Sequence, residues 1–273
     1  MTTSTKAVWI TGASSGIGAA LARAYARRGC RLILSGRNEA ALAEVAAQCG
    51  VDHLILPFEV SDFAAGLAAA DKAWEWSGGI DVLVNNAGIS QRSLAIDTDF
   101  AVYQKMIAID LLAPINLTQA LIKRMAARKT GQFIMISSLA GKIGSPLRSA
   151  YCAAKHGLVG YADSIRLELN QHGISVIVAT PGSIRTDVSR NAITSDGSTR
   201  GVSDEAIDNG VEPDDFAEQM LAAIDAGERE IVVAKHPMEV MIGEARRTPE
   251  ALFDKMIENF NAGYAAKMGV SEQ

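Results

Sequence analysis

Tyr151 and Lys155 stand four residues apart in Ser149-Ala-Tyr-Cys-Ala-Ala-Lys-His156, and Ser138 lies thirteen residues before the tyrosine. A phenol is a weak acid, with an ordinary pKa of about 10. A lysine one helical turn away favours the phenolate through its positive charge. A serine hydroxyl can hold a carbonyl oxygen within reach of the phenolic proton. The three side chains together suit carbonyl reduction or its reverse, alcohol oxidation. Taken singly, such a tyrosine packs, such a lysine is solvated and such a serine bonds backbone. Their joint placement carries the chemistry. His156 follows the lysine directly, faces elsewhere on a helix and reads as structural.

A hydride donor is the next requirement. The first apolar run leads into Thr11-Gly-Ala-Ser-Ser-Gly-Ile-Gly18, which opens a helical pattern. Glycines there permit a tight turn and close approach of a pyrophosphate to a helix N-terminus. A lone glycine pattern is weak, but this one has its strand before it and its helix after it. The second strand ends in Ser35-Gly-Arg37, with no acid before Glu39. A carboxylate there would bind the free ribose hydroxyls of NAD. Gly36 removes that charge, and Arg37 offers a donor fork suited to a 2′-phosphate, which favours NADP. Asn85-Asn-Ala-Gly88 follows the fourth strand. Its small residues allow close backbone approach, and its amides can tie adjacent strands together.

These segments need a scaffold. Strands are expected at Ala7–Thr11, Arg31–Ser35, His53–Phe58, Asp81–Asn85, Gln132–Ser137, Ser175–Thr180 and Glu230–Val233. Helical patterns such as Ile17–Arg28 and Glu39–Gln48 lie between them. Near-continuous apolar runs suit strands buried on both faces. The alternation predicts an α/β fold: one Rossmann-type, doubly wound parallel sheet of about seven strands with helices on both faces. No linker divides residues 1–273. The segment Asp187–Gly210, rich in Ser, Thr, Asp, Asn and Gly, is expected to lie over the substrate, with a mobile surface loop as the alternative. A helical extension is expected over 236–273, as a cover or an interface.

The bulk numbers narrow the class. With 48% apolar and 21% charged residues, the chain can bury one large core. A net charge of -5 without basic runs argues against nucleic acid. Cys30, Cys49 and Cys152 have no metal-ligand spacing and are expected as free thiols in a reducing compartment. No metal site is expected. The start lacks a signal-peptide core, and no stretch is expected to approach a membrane span. A cytoplasmic location and no membrane partner are the expectations.

Together these motifs resemble the short-chain dehydrogenase/reductase family, over nearly the whole chain. The match comprises Thr11–Gly18, Asn85–Gly88, Ser138, Tyr151 with Lys155, and Pro181-Gly182 with Thr186. The resemblance implies roles. Tyr151 is the general acid/base, Lys155 its activator and a ligand of the nicotinamide ribose, and Ser138 the carbonyl-positioning residue. Gly12, Gly16 and Gly18, with Ser14, Ser15 and Ile17, form the pyrophosphate turn. Asn86, Ala87 and Gly88 lie near the cofactor ribose. Pro181, Gly182, Ile184 and Thr186 hold the nicotinamide end. Glu59 and Val60 stand beside the adenine, where the family usually has aspartate. Asp110 replaces the asparagine that usually supports a proton relay to the lysine. It can act catalytically, pair with Lys155 or serve the helix.

Ile89-Ser-Gln-Arg-Ser-Leu94, Pro146-Leu-Arg-Ser-Ala-Tyr151 and Asn191-Ala-Ile-Thr-Ser-Asp-Gly-Ser198 further resemble the dehydrogenase/reductase member 7 group. Its animal members are usually membrane-anchored and act on lipophilic carbonyls. No anchor is expected in this sequence, so that substrate class is not carried over. The resemblance implies an NADP(H)-dependent oxidoreductase acting on a small-molecule ketone, aldehyde or secondary alcohol, assembled as a homodimer or homotetramer. Gln91, Ser93, Leu139, Gly144 and 187–210 are the expected pocket walls. An NADP-linked epimerase or dehydratase and a non-catalytic NADP-binding regulator are the competing readings.

Overall fold

The computed structural model describes residues 5–237, 239, 240 and 258. Seven apolar runs form strands β1 (Ala7–Thr11), β2 (Arg31–Gly36), β3 (His53–Pro57), β4 (Val82–Asn85), β5 (Gly131–Ile136), β6 (Ile174–Pro181) and β7 (Glu230–Val233). All pair in parallel, in the order β3-β2-β1-β4-β5-β6-β7. The intervening helices are α1 (Gly16–Arg27), α2 (Glu39–Cys49), α3 (Phe63–Ser77), α4 (Phe100–Ile107), α5 (Ala113–Arg128), α6 (Ser149–Leu169), α7 (Glu205–Asp208) and α8 (Pro213–Asp225).

Successive strand side chains point to opposite faces, so one sheet feeds two cores. Val8, Ile10, Leu32, Leu34, Val84 and Ile134 pack with α1, α2 and α8. Trp9, Ile33, Leu83, Phe133 and Met135 pack with α3, α5 and α6. Burying each such large apolar side chain contributes about 1.5–3 kcal/mol. The expected α/β sheet with helices on both faces is therefore present.

The sheet order matters for function. The chain winds outward through β2 and β3, then returns to place β4 on the other side of β1. Loops after β1 and β4 therefore separate at the carboxyl edge and leave a crevice, the usual ligand position in such sheets. Asn38 and Asp62 cap α2 and α3 by accepting bonds from Ala41 N at 3.1 Å and Ala65 N at 3.0 Å. Ser15, at the same position of α1, makes no such side-chain bond. The first turn of α1 thus keeps its amide donors facing the crevice.

One expectation needs correction. Phe100–Arg128 is long and apolar enough to cross a membrane by length and composition alone. Its apolar character has an internal use: Leu117, Leu121 and Met125 enter the core, and α5 packs against α3 and α6. The segment 187–210 holds more structure than its composition suggests. Ile193 bridges both Gln91 and Thr199, and Ser189, Ala192 and Ile193 are buried. The expected helical extension over 236–273 lies outside the described residues except for 236, 237, 239, 240 and 258, and Val240 N donates to His236 O at 3.1 Å.

Candidate functional site

Ser138, Tyr151 and Lys155 line one cleft of about 860 Å³ at the carboxyl edge of the sheet. Tyr151 and Lys155 share a face of α6, with Lys155 Nζ 5.7 Å from the tyrosine ring centroid. No local side chain caps α6. Instead Gln91 Oε1 accepts from Ala150 N at 2.8 Å, and Tyr103 Oη and Ser149 Oγ lie 2.8 Å apart. Ser138 follows β5 and begins a tight turn over Leu139–Gly141, its Oγ accepting from Ala140 N at 3.2 Å. That turn is pressed onto α6. A Cβ on Gly141 would lie 2.8 Å from Lys155 O, and Ser137 Oγ donates to that carbonyl at 3.3 Å. The serine is thereby fixed relative to the helix that carries the other two. His156 is structural, its Nδ1 2.9 Å from Cys152 O.

Asp110 proves to be part of this arrangement. Between α4 and α5 the helix widens into a π turn over Ala108–Leu112, a distortion frequent at functional sites. Asp110 is fully buried there. Its Oδ1 accepts from Ile89 N at 2.9 Å, and its Oδ2 lies 3.2 Å from Lys155 Nζ. Lys155 Nζ also donates to Ile136 O at 3.0 Å. Burial pushes the Asp110 carboxyl up, and the Lys155 charge opposes that rise. For Lys155, burial acts to lower the pKa, but Asp110 and Tyr151 outweigh it and hold the ammonium above its ordinary value. The Asp110 carboxylate thus helps to hold the lysine as an ammonium. An asparagine bonded to Ile89 in the same way would turn its NH2 donors toward the ammonium. Asp110 contacts the lysine, so it bears on the tyrosine through Lys155.

The cofactor end is built from backbone. Gly12 and Gly16 have φ of +65° and +53°, a region that suits glycine. A Cβ on Gly12 would lie 2.9 Å from Ala87 Cα, and one on Gly16 would lie 3.0 Å from Thr186 Cγ2. Gly12, Ser14, Ser15, Gly16 and Ile17 line the cleft. Gly18 does not. Its Cβ would meet Gly12 O at 2.2 Å, so its lack of a side chain serves close helix–strand packing. Asn86, Ala87 and Gly88 line the cleft, but the Asn86 amide is committed to Thr11 O at 2.8 Å and Gly12 O at 3.3 Å. Pro181, Gly182, Ile184 and Thr186 line the cleft too, and Glu59, Val60 and Arg37 lie at the end of β2 and β3. Arg37 is largely exposed, 3.6 Å from Glu59.

Several side chains were not foreseen. Glu239 accepts from Ser183 Oγ at 2.6 Å and from Ser183 N at 3.2 Å beside Gly182. Nothing in the sequence marks it. Of the expected pocket walls, Leu139 and parts of 187–210 line the cleft, whereas Gln91, Ser93 and Gly144 do not. Gln91 is buried because it caps α6 and bonds Ser93 Oγ at 2.9 Å. Arg92 and Arg148 line the cleft instead. Both converge on Asp204, across 112 and 56 residues of chain, so their pairing has no local sequence signal.

A dinucleotide fits this geometry. The α1 amides are open, the glycine turn admits close approach, and Gly36 puts no acid at the ribose position. Comparison with known proteins agrees. A family profile described as short chain dehydrogenase matches residues 6–196. Dehydrogenase/reductase SDR family member 7B of Bos taurus is 38% identical over 259 residues, covering 92% of this chain and 79% of that protein. Dehydrogenase/reductase SDR family protein 7-like of Anopheles gambiae is 37% identical, covering 84% and 75%. A short-chain dehydrogenase from Sphingobium yanoikuyae, solved with NADPH, superposes with a TM-score of 0.74 at 28% identity, over 83% of this chain and 87% of that one. A metagenomic short-chain oxidoreductase solved with NADP gives 0.69 at 33% identity, over 84% and 96%. The chain therefore belongs to the short-chain dehydrogenase/reductase family of oxidoreductases, within its dehydrogenase/reductase member 7 group.

Proposed function

We propose that this oxidoreductase reduces a ketone or aldehyde with NADPH, or runs the reverse with NADP+, using Tyr151 as general acid/base. The observation that carries the reading is the meeting of Ser138, Tyr151 and Lys155 in one cleft with the glycine turn. The cofactor supplies the hydride when bound. The remaining work belongs to side chains. Ser138 Oγ accepts from Ala140 N, which leaves its own hydrogen free to donate to a substrate oxygen. Tyr151 gives its proton to that oxygen as negative charge develops there. The Lys155 ammonium offsets the charge left on the phenol oxygen, and Asp110 with Ile136 O fixes the ammonium in place.

NADP preference rests on Gly36 and Arg37. The exposed Arg37–Glu59 pair is worth only about 0–1 kcal/mol. Arg37 is thus available to a 2′-phosphate, which offers it charge-assisted, two-pronged bonding. The NADPH and NADP complexes of two relatives support the same choice by analogy.

The test is oxidation of NADPH, with NADH in parallel, against a broad panel of ketones and aldehydes. NADPH consumption that is lost in Tyr151→Phe is the expected result. NADPH binding with no turnover on any carbonyl would instead identify a regulator. Isomerisation or dehydration without net NADPH consumption would identify an epimerase or dehydratase.

A further inference from the structure

The substrate end of the cleft carries charge that proton and hydride transfer do not use. Asp204, in the 187–210 segment, receives Arg92 through Nε at 2.8 Å and Nη2 at 2.5 Å, and Arg148 through Nη2 at 3.3 Å. Arg200 pairs with its other oxygen. Three guanidiniums thus face one carboxylate, an excess of two positive charges. Burial works against ionisation of Asp204, yet the bonds from Arg92 and Arg200 hold its pKa down to about 2. The acids that do line the cleft are engaged elsewhere. Glu59 faces Arg37, Asp110 faces Lys155, Asp187 faces Arg190 and Glu239 faces Ser183.

The two cleft-lining arginines differ in what they have left to offer. Arg92 is nearly buried, and its Nη1 is also committed to Ser90 Oγ at 2.8 Å and Gln91 O at 2.6 Å. Arg148 is 31% exposed and spends Nη1 on Ser145 Oγ at 3.1 Å and Nη2 on Asp204. That uses two of the five N–H donors of a guanidinium. Arg148 is the residue just before α6, three positions before Tyr151, and both line the same cleft. An anion held by Arg148 would therefore sit a short spacer from a carbonyl held by Tyr151.

We propose that Arg148, backed by Arg92, forms an anion subsite beside Tyr151, and that the substrate is a carbonyl compound bearing a carboxylate or phosphate a short distance from its C=O. This rests on the reductase reading for the carbonyl, but the anion subsite is testable without turnover. Asp204 is the resident carboxylate with which the substrate anion competes for Arg148.

The experiment measures calorimetric binding of three matched probes, with and without NADP+. They are acetophenone, its meta-carboxylate and its meta-phosphate, and the last two arms distinguish the two anions. At least one anion is expected to bind about tenfold more tightly than acetophenone, as for a hydrogen bond to a charged group. Arg148→Met should erase that preference. Asp204→Asn should tighten anion binding by removing the competing carboxylate, whereas a purely structural latch would weaken all three probes alike. Asp204→Asn also decides the matter if Arg148→Met does not fold. Equal binding of the three probes, or an anion preference unchanged in Arg148→Met, overturns the subsite. NADPH oxidation followed in parallel separates the two readings. Turnover of acetophenone without anion preference removes the subsite alone. Anion-selective binding with no turnover on any carbonyl of the broad panel keeps the subsite and removes the reductase.

Discussion

The cofactor end of the cleft is made from backbone, and the substrate end is made from side chains. At the cofactor end, Gly12 and Gly16 turn the chain between β1 and α1, and the nearest obstacles to a Cβ are Ala87 and Thr186. At the substrate end, Arg92 and Arg148 come from two separate segments and meet at Asp204 on a third. Backbone sites depend on a few residues whose conformations are locally forced. Side-chain sites depend on where distant segments fold, so they can vary while the chemistry between them stays fixed. Tyr151, Lys155 and Asp110 stand at the junction of the two ends.

Six substitutions probe this division. Tyr151→Phe at the junction should lower kcat for carbonyl reduction by about 10²- to 10⁴-fold, the usual contribution of a general acid. NADPH binding, followed by fluorescence titration, should persist. Asp110→Leu leaves the buried Lys155 ammonium without its carboxylate and should cost about 3–5 kcal/mol in urea unfolding. A stability close to the parent would remove the Asp110–Lys155 pair from the structural account.

Asp110→Asn gives a finer reading through pH. The folded pKa of Lys155 is raised, so its stabilising contribution is complete below the ordinary value of 10.5 and is lost as pH climbs through the folded value. Asp110 is raised too. Its protonated form favours folding below 3.8, and the stability this gives is lost as pH climbs through the folded value, a loss the Lys155 charge reduces. Asparagine removes the charge that holds Lys155 up, and burial then draws it down. The alkaline limb of the NADPH-oxidation profile should move to lower pH, and an unmoved limb would detach Asp110 from the lysine's titration.

Effects at the cofactor end should be smaller and more selective. Arg37→Ala should raise the KM for NADPH roughly ten- to a hundredfold while leaving that for NADH little changed, since only NADPH carries the 2′-phosphate. Equal effects on both cofactors would remove Arg37 from phosphate recognition. A glycine pair gives the mildest contrast. Gly12→Ala places a Cβ 2.9 Å from Ala87 Cα at a positive φ and should cost about 1–3 kcal/mol. Gly144→Ala, near the substrate end, meets nothing within 4 Å and should change thermal stability by less than about 0.5 kcal/mol.

The strands were legible because burial on both faces makes each an apolar run. All seven expected strands form, with boundaries shifted by a residue at most. The Tyr–Lys pair was legible because helix spacing alone puts both on one face of α6. Gly18 was recognised as part of the turn, but a sequence does not show that a Cβ there would meet Gly12 O. Gln91 was read as a pocket wall for a similar reason. Its value lies in bonding Ala150 N, a partner 59 residues away.

The sequence by itself determined the sheet, the glycine turn and the order of Ser138, Tyr151 and Lys155, because each follows from local conformation or short-range periodicity. Only the tertiary structure decided that Asp110 pairs with Lys155 through a π turn, and that Arg92 and Arg148 share Asp204. Those pairings join residues 45 to 112 positions apart. Charge pairing at such separations is set by how the elements pack around the cleft.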